Sequence, residues 1–129
     1  MEKAKITGSA PILLVANVEK SAEYYRDKIG FKINQTYGEP PNFSILSRDG
    51  FHLLLSGVAD PKHIVPHYKV VHNMWNVYFW VDNIDLVYAE LKSNGAEIDY
   101  EIEKKDYGVR EFGIQDLDGY DIAFAEIVR

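Results

Sequence analysis

Hydrophobic positions along the chain change their period in a fixed order, and that order occurs twice. An apolar run over residues 10–16 reads as a buried strand and stops at Asn17, a side-chain type that accepts a backbone N–H where helices begin. Val18, Ala22, Tyr25 and Ile29 then recur at three- and four-residue spacings, the signature of an amphipathic helix, which Gly30 closes. Three short strands are predicted next, over residues 31–37, 43–47 and 51–56. The second pass repeats this: an apolar run over 76–81, Asn83, a helix marked by Ile84, Tyr88 and Leu91, Gly95, and strands over 97–103, 109–115 and 120–127.

The two passes match residue by residue. Val15 corresponds to Val81, Asn17 to Asn83, Gly30 to Gly95 and Ile33 to Ile98. Asp49-Gly50 corresponds to Asp118-Gly119, and both pairs read as tight turns between antiparallel strands. The prediction is an α+β fold of two βαβββ repeats, about 9–57 and about 74–128, in a single domain spanning 1–129. Residues 58–73, which carry Pro61 and Pro66, are the connecting loop.

Composition narrows the chemistry. With 129 residues, 47% of them apolar, the chain is long enough to bury a core without disulfides or structural metal. It has no cysteine, which removes thiolate catalysis and thiolate metal sites and agrees with a cytoplasmic location. Fourteen Lys and Arg against 20 Asp and Glu give a net charge of −6 with no basic run, so nucleic acid is not an expected partner. The apolar stretches are too short for a membrane span, and no membrane partner is expected. His63, His67 and His72 sit together in the connecting loop, but Pro66 interrupts any helical face and they read as solvated. Phosphate-binding glycine loops and a nucleophile elbow are absent.

Several features act together as a family signature. They are Val15-Ala16-Asn17 and Val81-Asp82-Asn83 before the two helices, and the Tyr24-Tyr25-Arg26 to Gly30-Phe31 helix end. The stretches Tyr107-Gly108-Val109-Arg110-Glu111-Phe112 and Asp116-Leu117-Asp118-Gly119-Tyr120 complete it. Over about residues 9–128 the chain resembles the vicinal oxygen chelate superfamily of glyoxalases, extradiol dioxygenases, fosfomycin-resistance enzymes and bleomycin-resistance binding proteins. The resemblance implies a metal frame at Ala10, Leu54, Asn76 and Ala123. None of these is a histidine or a glutamate, and the set cannot supply three strong donors. His52 and Asp121 are repeat-equivalent and would be the start of a relocated site. No metal, no cofactor and no catalytic residue is expected.

What the resemblance then implies is that the repeats form an open, curled mixed sheet with a helix on the outside of each half, enclosing a trough lined by alternate strand residues. Along one strand these are Asn76, Tyr78 and Trp80; elsewhere they include Ile12, Leu14, His52, Leu54, Ser56, Asp121 and Ala125. Phe43, Trp75, Tyr107, Glu111 and Phe112 are expected near strand ends, at the rim, as in the bleomycin-resistance group. Glu126 is expected on the helix side, while the face of Glu111 stays open. The expectation is a metal-independent, homodimeric binding protein of antibiotic-resistance type that sequesters a planar or cationic small molecule among aromatic rings. The alternative is a glyoxalase- or dioxygenase-type metalloenzyme with relocated ligands.

Overall fold

A computed structural model describes residues 1–129. The fold is α+β and is built from two repeated halves. The first comprises β1 (Ile12–Val15), α1 (Val18–Ile29), β2 (Lys32–Tyr37), β3 (Phe43–Arg48) and β4 (Phe51–Gly57). The second comprises β5 (Val77–Trp80), α2 (Ile84–Ser93), β6 (Glu97–Lys104), β7 (Val109–Gln115) and β8 (Asp121–Ile127). Each half is its own four-stranded open sheet, ordered β1-β4-β3-β2 and β5-β8-β7-β6, with the first strand parallel to the last and the other pairs antiparallel. Two short 3-10 turns, Pro61–His63 and His67–Lys69, shape the connecting loop.

Local chemistry sets the helix ends. The Asn17 side chain accepts from the Lys20 N–H and the Asn83 side chain from the Leu86 N–H, satisfying donors that a helix start leaves free. Gly30 closes α1 at φ 79°, a left-handed backbone that a side chain would strain. α1 buries Val18, Ala22, Tyr25 and Ile29 against Leu13, Val15, Leu46, Leu53 and Leu55 of its sheet. α2 covers Ile114, Ile122, Phe124 and Phe112. The Phe112 ring stacks on Phe124 with centroids 5.3 Å apart and receives Tyr88 edge-on at 5.0 Å. Phe112 therefore lies in the core under α2, completely buried, and not at a ligand rim as the sequence suggested. Glu126 does face α2, where its carboxylate accepts the Ile84 N–H.

The halves hold each other by a reciprocal exchange of turns. The β7–β8 turn reaches α1: Asp116, 5% exposed, accepts from the Tyr25 hydroxyl at 2.6 Å and from the Asp118 and Tyr120 N–H groups. Asp118 accepts from the Ala16 N–H and the Ser21 hydroxyl, both at 2.9 Å. From the other side, Arg48 at the end of β3 donates to both carboxylate oxygens of Glu90 on α2 and to the Ile29 carbonyl. Such bidentate guanidinium contacts fix orientation as well as distance.

Burial pushes the Asp116 carboxyl up to about 6, against the opposing pull of the Tyr25 hydroxyl and the two N–H bonds. Its folded value lies above the unfolded one, so its contribution to stability is complete below the ordinary carboxylate range and is lost as pH rises through about 6. Between about pH 5 and about pH 7.5 the wild-type Tm should therefore fall relative to that of Asp116→Asn, which has no proton to lose. Parallel profiles in a thermal-unfolding series would contradict this role.

Candidate functional site

The face of each sheet away from its helix is the one available to a ligand. In the first half, cross-strand pairing sets Phe43 opposite Ser56, Ile45 opposite Leu54, and Ile12 opposite Leu54. Side chains directly opposite share a face, so Ile12, Leu14, Phe43, Ile45 and Leu54 form one apolar strip. Ile12 is 58% and Leu14 39% exposed, because no element of the chain covers them.

The corresponding face of the second half is filled by its own tyrosines. Gly113 on β7 lies opposite Tyr100 and Ala123, and the Tyr100 ring rests directly on the glycine. Glu111, 1% exposed, is the hub. Its Oε1 accepts from the hydroxyls of Tyr78 at 2.8 Å and Tyr107 at 2.7 Å, and its Oε2 accepts from Tyr100 at 2.5 Å. The Trp75 indole N–H donates to the Tyr100 oxygen at 2.8 Å. Burial, then the Glu111 contact, pushes all three phenols well above their usual range and keeps them protonated donors.

Two cavities open around this hub. One, of about 560 Å³, is lined by Trp75, Tyr100, Tyr107 and Glu111 together with Asn73, Asp99, Glu103, Lys105 and Asp121. Asp121 receives a hydrogen bond from the Gln115 amide at 3.0 Å; burial pushes its carboxyl up to about 6, with Asp99 adding to the rise and Gln115 opposing it. The other cavity, of about 430 Å³, lies between the halves and takes His52, Asn76, Tyr78 and Trp80 along with Phe51 and Pro11.

The residues expected at the site thus divide. Trp75, Tyr107, Glu111 and Asp121 meet in the first cavity, and His52, Asn76, Tyr78 and Trp80 in the second. Phe43 and Leu54 lie on the open strip of the first half. Sequence reasoning missed Tyr100 and Asp99. Tyr100 alternates with Ile98 and Ile102 and on that pattern belongs under the helix. The pairing shifts on both sides of Tyr100, and this bulge turns the ring to the opposite face. Gly113 within an apolar strand was the available signal, since a strand glycine often marks close approach.

A metal at the frame positions does not fit these residues. Ala10, Leu54 and Ala123 carry no donor atom, and the Asn76 Oδ1 already accepts the His67 N–H at 2.9 Å. His52 and Asp121 line different cavities, and no group of three His, Asp or Glu side chains comes together with ligand geometry. The His67 ring lies 3.0 Å from the Trp75 carbonyl, a contact that fixes the loop beside the first cavity.

Residues 8–124 match the family model described as Glyoxalase/Bleomycin resistance protein/Dioxygenase superfamily. No curated protein matches the sequence. Among solved structures, a glyoxalase-related enzyme from Clostridium phytofermentans is 15% identical, with 99% of this chain and 100% of that chain covered and a TM-score of 0.75. TnmS3, an antibiotic binding protein from Streptomyces sp. CB03234, is 17% identical with 98% and 99% covered and a TM-score of 0.72. The bleomycin-binding protein of bleomycin-producing Streptomyces verticillus, in complex with copper(II)-bleomycin, is 19% identical with 98% and 99% covered and a TM-score of 0.69. At these identities the likeness establishes the fold.

A methyl group at Gly113 would collide with the Tyr100 ring. Gly113→Ala should cost about 1–3 kcal/mol of stability, as overpacking does, and should also alter the Trp emission as the Trp75–Tyr100 bond breaks. Unchanged thermal unfolding and an unchanged fluorescence spectrum would show that the ring does not depend on the glycine.

Proposed function

This chain belongs to the Glyoxalase/Bleomycin resistance protein/Dioxygenase superfamily, and from that premise we propose that it is a small-molecule binding protein which sequesters a planar or cationic ligand without changing it. The observation that carries this reading is the cavity of about 560 Å³ in which Trp75, Tyr100 and Tyr107 stand beside Glu111, Asp99 and Asp121. Aromatic faces give a flat ligand apolar area and, for a cation, attraction to the ring quadrupole. Carboxylates at the same wall favour positive charge and disfavour negative charge. Likeness in fold to an antibiotic binding protein and a bleomycin-binding protein supports the reading. The residues at the family's metal positions support a function that needs no metal, and the ligand leaves as it entered.

The reading extends to a homodimer. The strip of Ile12, Leu14, Phe43, Ile45 and Leu54 is a continuous apolar surface open to water on a chain of net charge −6. Such surfaces are commonly closed by a partner. A second copy would bury it and bring further walls to the ligand. No helix is long and apolar enough to cross a membrane; a cytoplasmic location belongs to the same proposal.

Calorimetric titration with a planar cation such as 9-aminoacridine should give saturable binding, weakened roughly tenfold or more in Trp75→Ala as stacking and cation–π contact are lost. Absence of saturable binding by any planar cation, or a stoichiometric transition metal in protein purified without chelator, would overturn the reading. By light scattering the wild type should be a dimer and Leu14→Glu a monomer; a monomeric wild type at tens of micromolar would remove the dimer.

A further inference from the structure

The Glu111 hub has a consequence for what the cavity can recognise. A phenol hydroxyl is ordinarily both donor and acceptor. Here the protons of Tyr78, Tyr100 and Tyr107 are all committed to Glu111, so each hydroxyl can turn only its lone pairs elsewhere. Tyr100 spends one of these on Trp75. Of the other donors, the Gln115 amide beside the cavity donates to the lining Asp121 at 3.0 Å, and the Lys105 ammonium gives one of its three protons to Glu103 at 2.8 Å. Asn73 alone contributes a side-chain amide with no such commitment. With the carboxylates of Asp99, Glu103 and Asp121 added, the polar surface offered to a ligand consists mainly of acceptors, Lys105 and Asn73 being its remaining donors.

We propose that Glu111 is a specificity-determining positioning residue: by holding the protons of Tyr100 and Tyr107, which line the cavity of about 560 Å³, and of Tyr78, which lines its neighbour, it makes the aromatic wall an acceptor surface, which selects ligands that donate hydrogen bonds and discriminates against isosteres that only accept. Its natural ligand class is planar compounds bearing ammonium, amidinium, guanidinium or ring N–H groups. This rests on the binding reading above and specifies it. Glu111 acts through the tyrosines, since it is itself buried beneath them.

The test separates donor polarity from charge by using two neutral tricyclic isosteres, carbazole, with a ring N–H, and dibenzofuran, with a ring oxygen. Equilibrium dialysis against the full chain, with 9-aminoacridine as the cationic reference, reads the affinity ratio. The wild type should prefer carbazole by roughly tenfold, the scale of one well-placed hydrogen bond plus an unsatisfied acceptor. Glu111→Gln, whose amide gives a donor to one tyrosine and frees that hydroxyl proton, should shrink the preference, and Glu111→Asp should restore part of it. Tyr107→Phe removes one acceptor at a half-exposed position and keeps the test open if Glu111→Gln does not fold; it too should reduce the preference. If 9-aminoacridine binds but carbazole and dibenzofuran bind equally, or if the preference survives in Glu111→Gln and in Tyr107→Phe, the acceptor inference is overturned and the binding reading stands. If 9-aminoacridine and carbazole both fail to bind, the binding reading falls and the inference with it.

Discussion

The Asp116 carboxylate, held by the Tyr25 hydroxyl and by two N–H groups of its own turn, ties the second half to α1 of the first. Arg48 makes the return contact on α2 through Glu90. Neither sheet shares a strand ladder with the other, so these turns orient the halves together with the Tyr120 hydroxyl on the Leu14 carbonyl, the Tyr24 hydroxyl on the Gln115 carbonyl, the Asn94 amide on the Lys28 carbonyl and the Phe31–Phe79 contact. The cavity holding His52 and Tyr78 depends on that orientation, because it is assembled from both halves, whereas the cavity at Trp75 and Glu111 is built within the second. The clasp is polar, and its parts are mutually satisfied. That matters because a buried carboxylate left without its donors would cost more than the bonds return.

The backbone repeats, but the ligand-facing side chains do not. Pairing register equates Phe43 with Glu111, Ile45 with Gly113, Leu54 with Ala123 and Ser56 with Ala125. In the second half the small residues are buried because tyrosine rings lie over them. The larger residues of the first half have nothing above them and stay partly exposed. One fold thus presents two different faces: an apolar strip that gains by being covered, and a self-filled polar face with a defined cavity at its end. Duplication supplies the frame, and the exchange of small for large side chains at a few register positions decides what each half can hold.

The duplicated order of strands and helices was legible in the sequence because period, asparagine caps and Asp-Gly turns all pointed to the same elements. The strand faces were legible only where the repeat could be counted without interruption. In β8 the count from Gly119 sets Asp121, Ala123 and Ala125 on the face away from α2 and Glu126 under the helix, as the pairing does. In β7 it slips, because the β7–β8 turn is one residue longer than the β3–β4 turn, Asp116 to Tyr120 against Arg48 to Phe51. A one-residue slip exchanges the two faces of a strand. Glu111 accordingly has no assigned face in the sequence, and Phe112 is set at the rim by the family resemblance and not by a strand count. Tyr100 was hidden by the same kind of irregularity, the bulge in β6.

The extra turn residue also links fold to chemistry. It lets Asp116 and Asp118 reach α1, and it places Glu111 where the repeat would otherwise set a phenylalanine. A lone carboxylate at that depth would carry a desolvation cost of several kcal/mol. Three phenol donors reduce that cost without neutralising the charge, as a lysine or arginine would. A lysine or arginine in their place would pair with the carboxylate and leave the tyrosine protons uncommitted. The tyrosine cluster satisfies the same carboxylate with its hydroxyl protons, and the Tyr100 and Tyr107 oxygens keep their remaining lone pairs at the cavity wall.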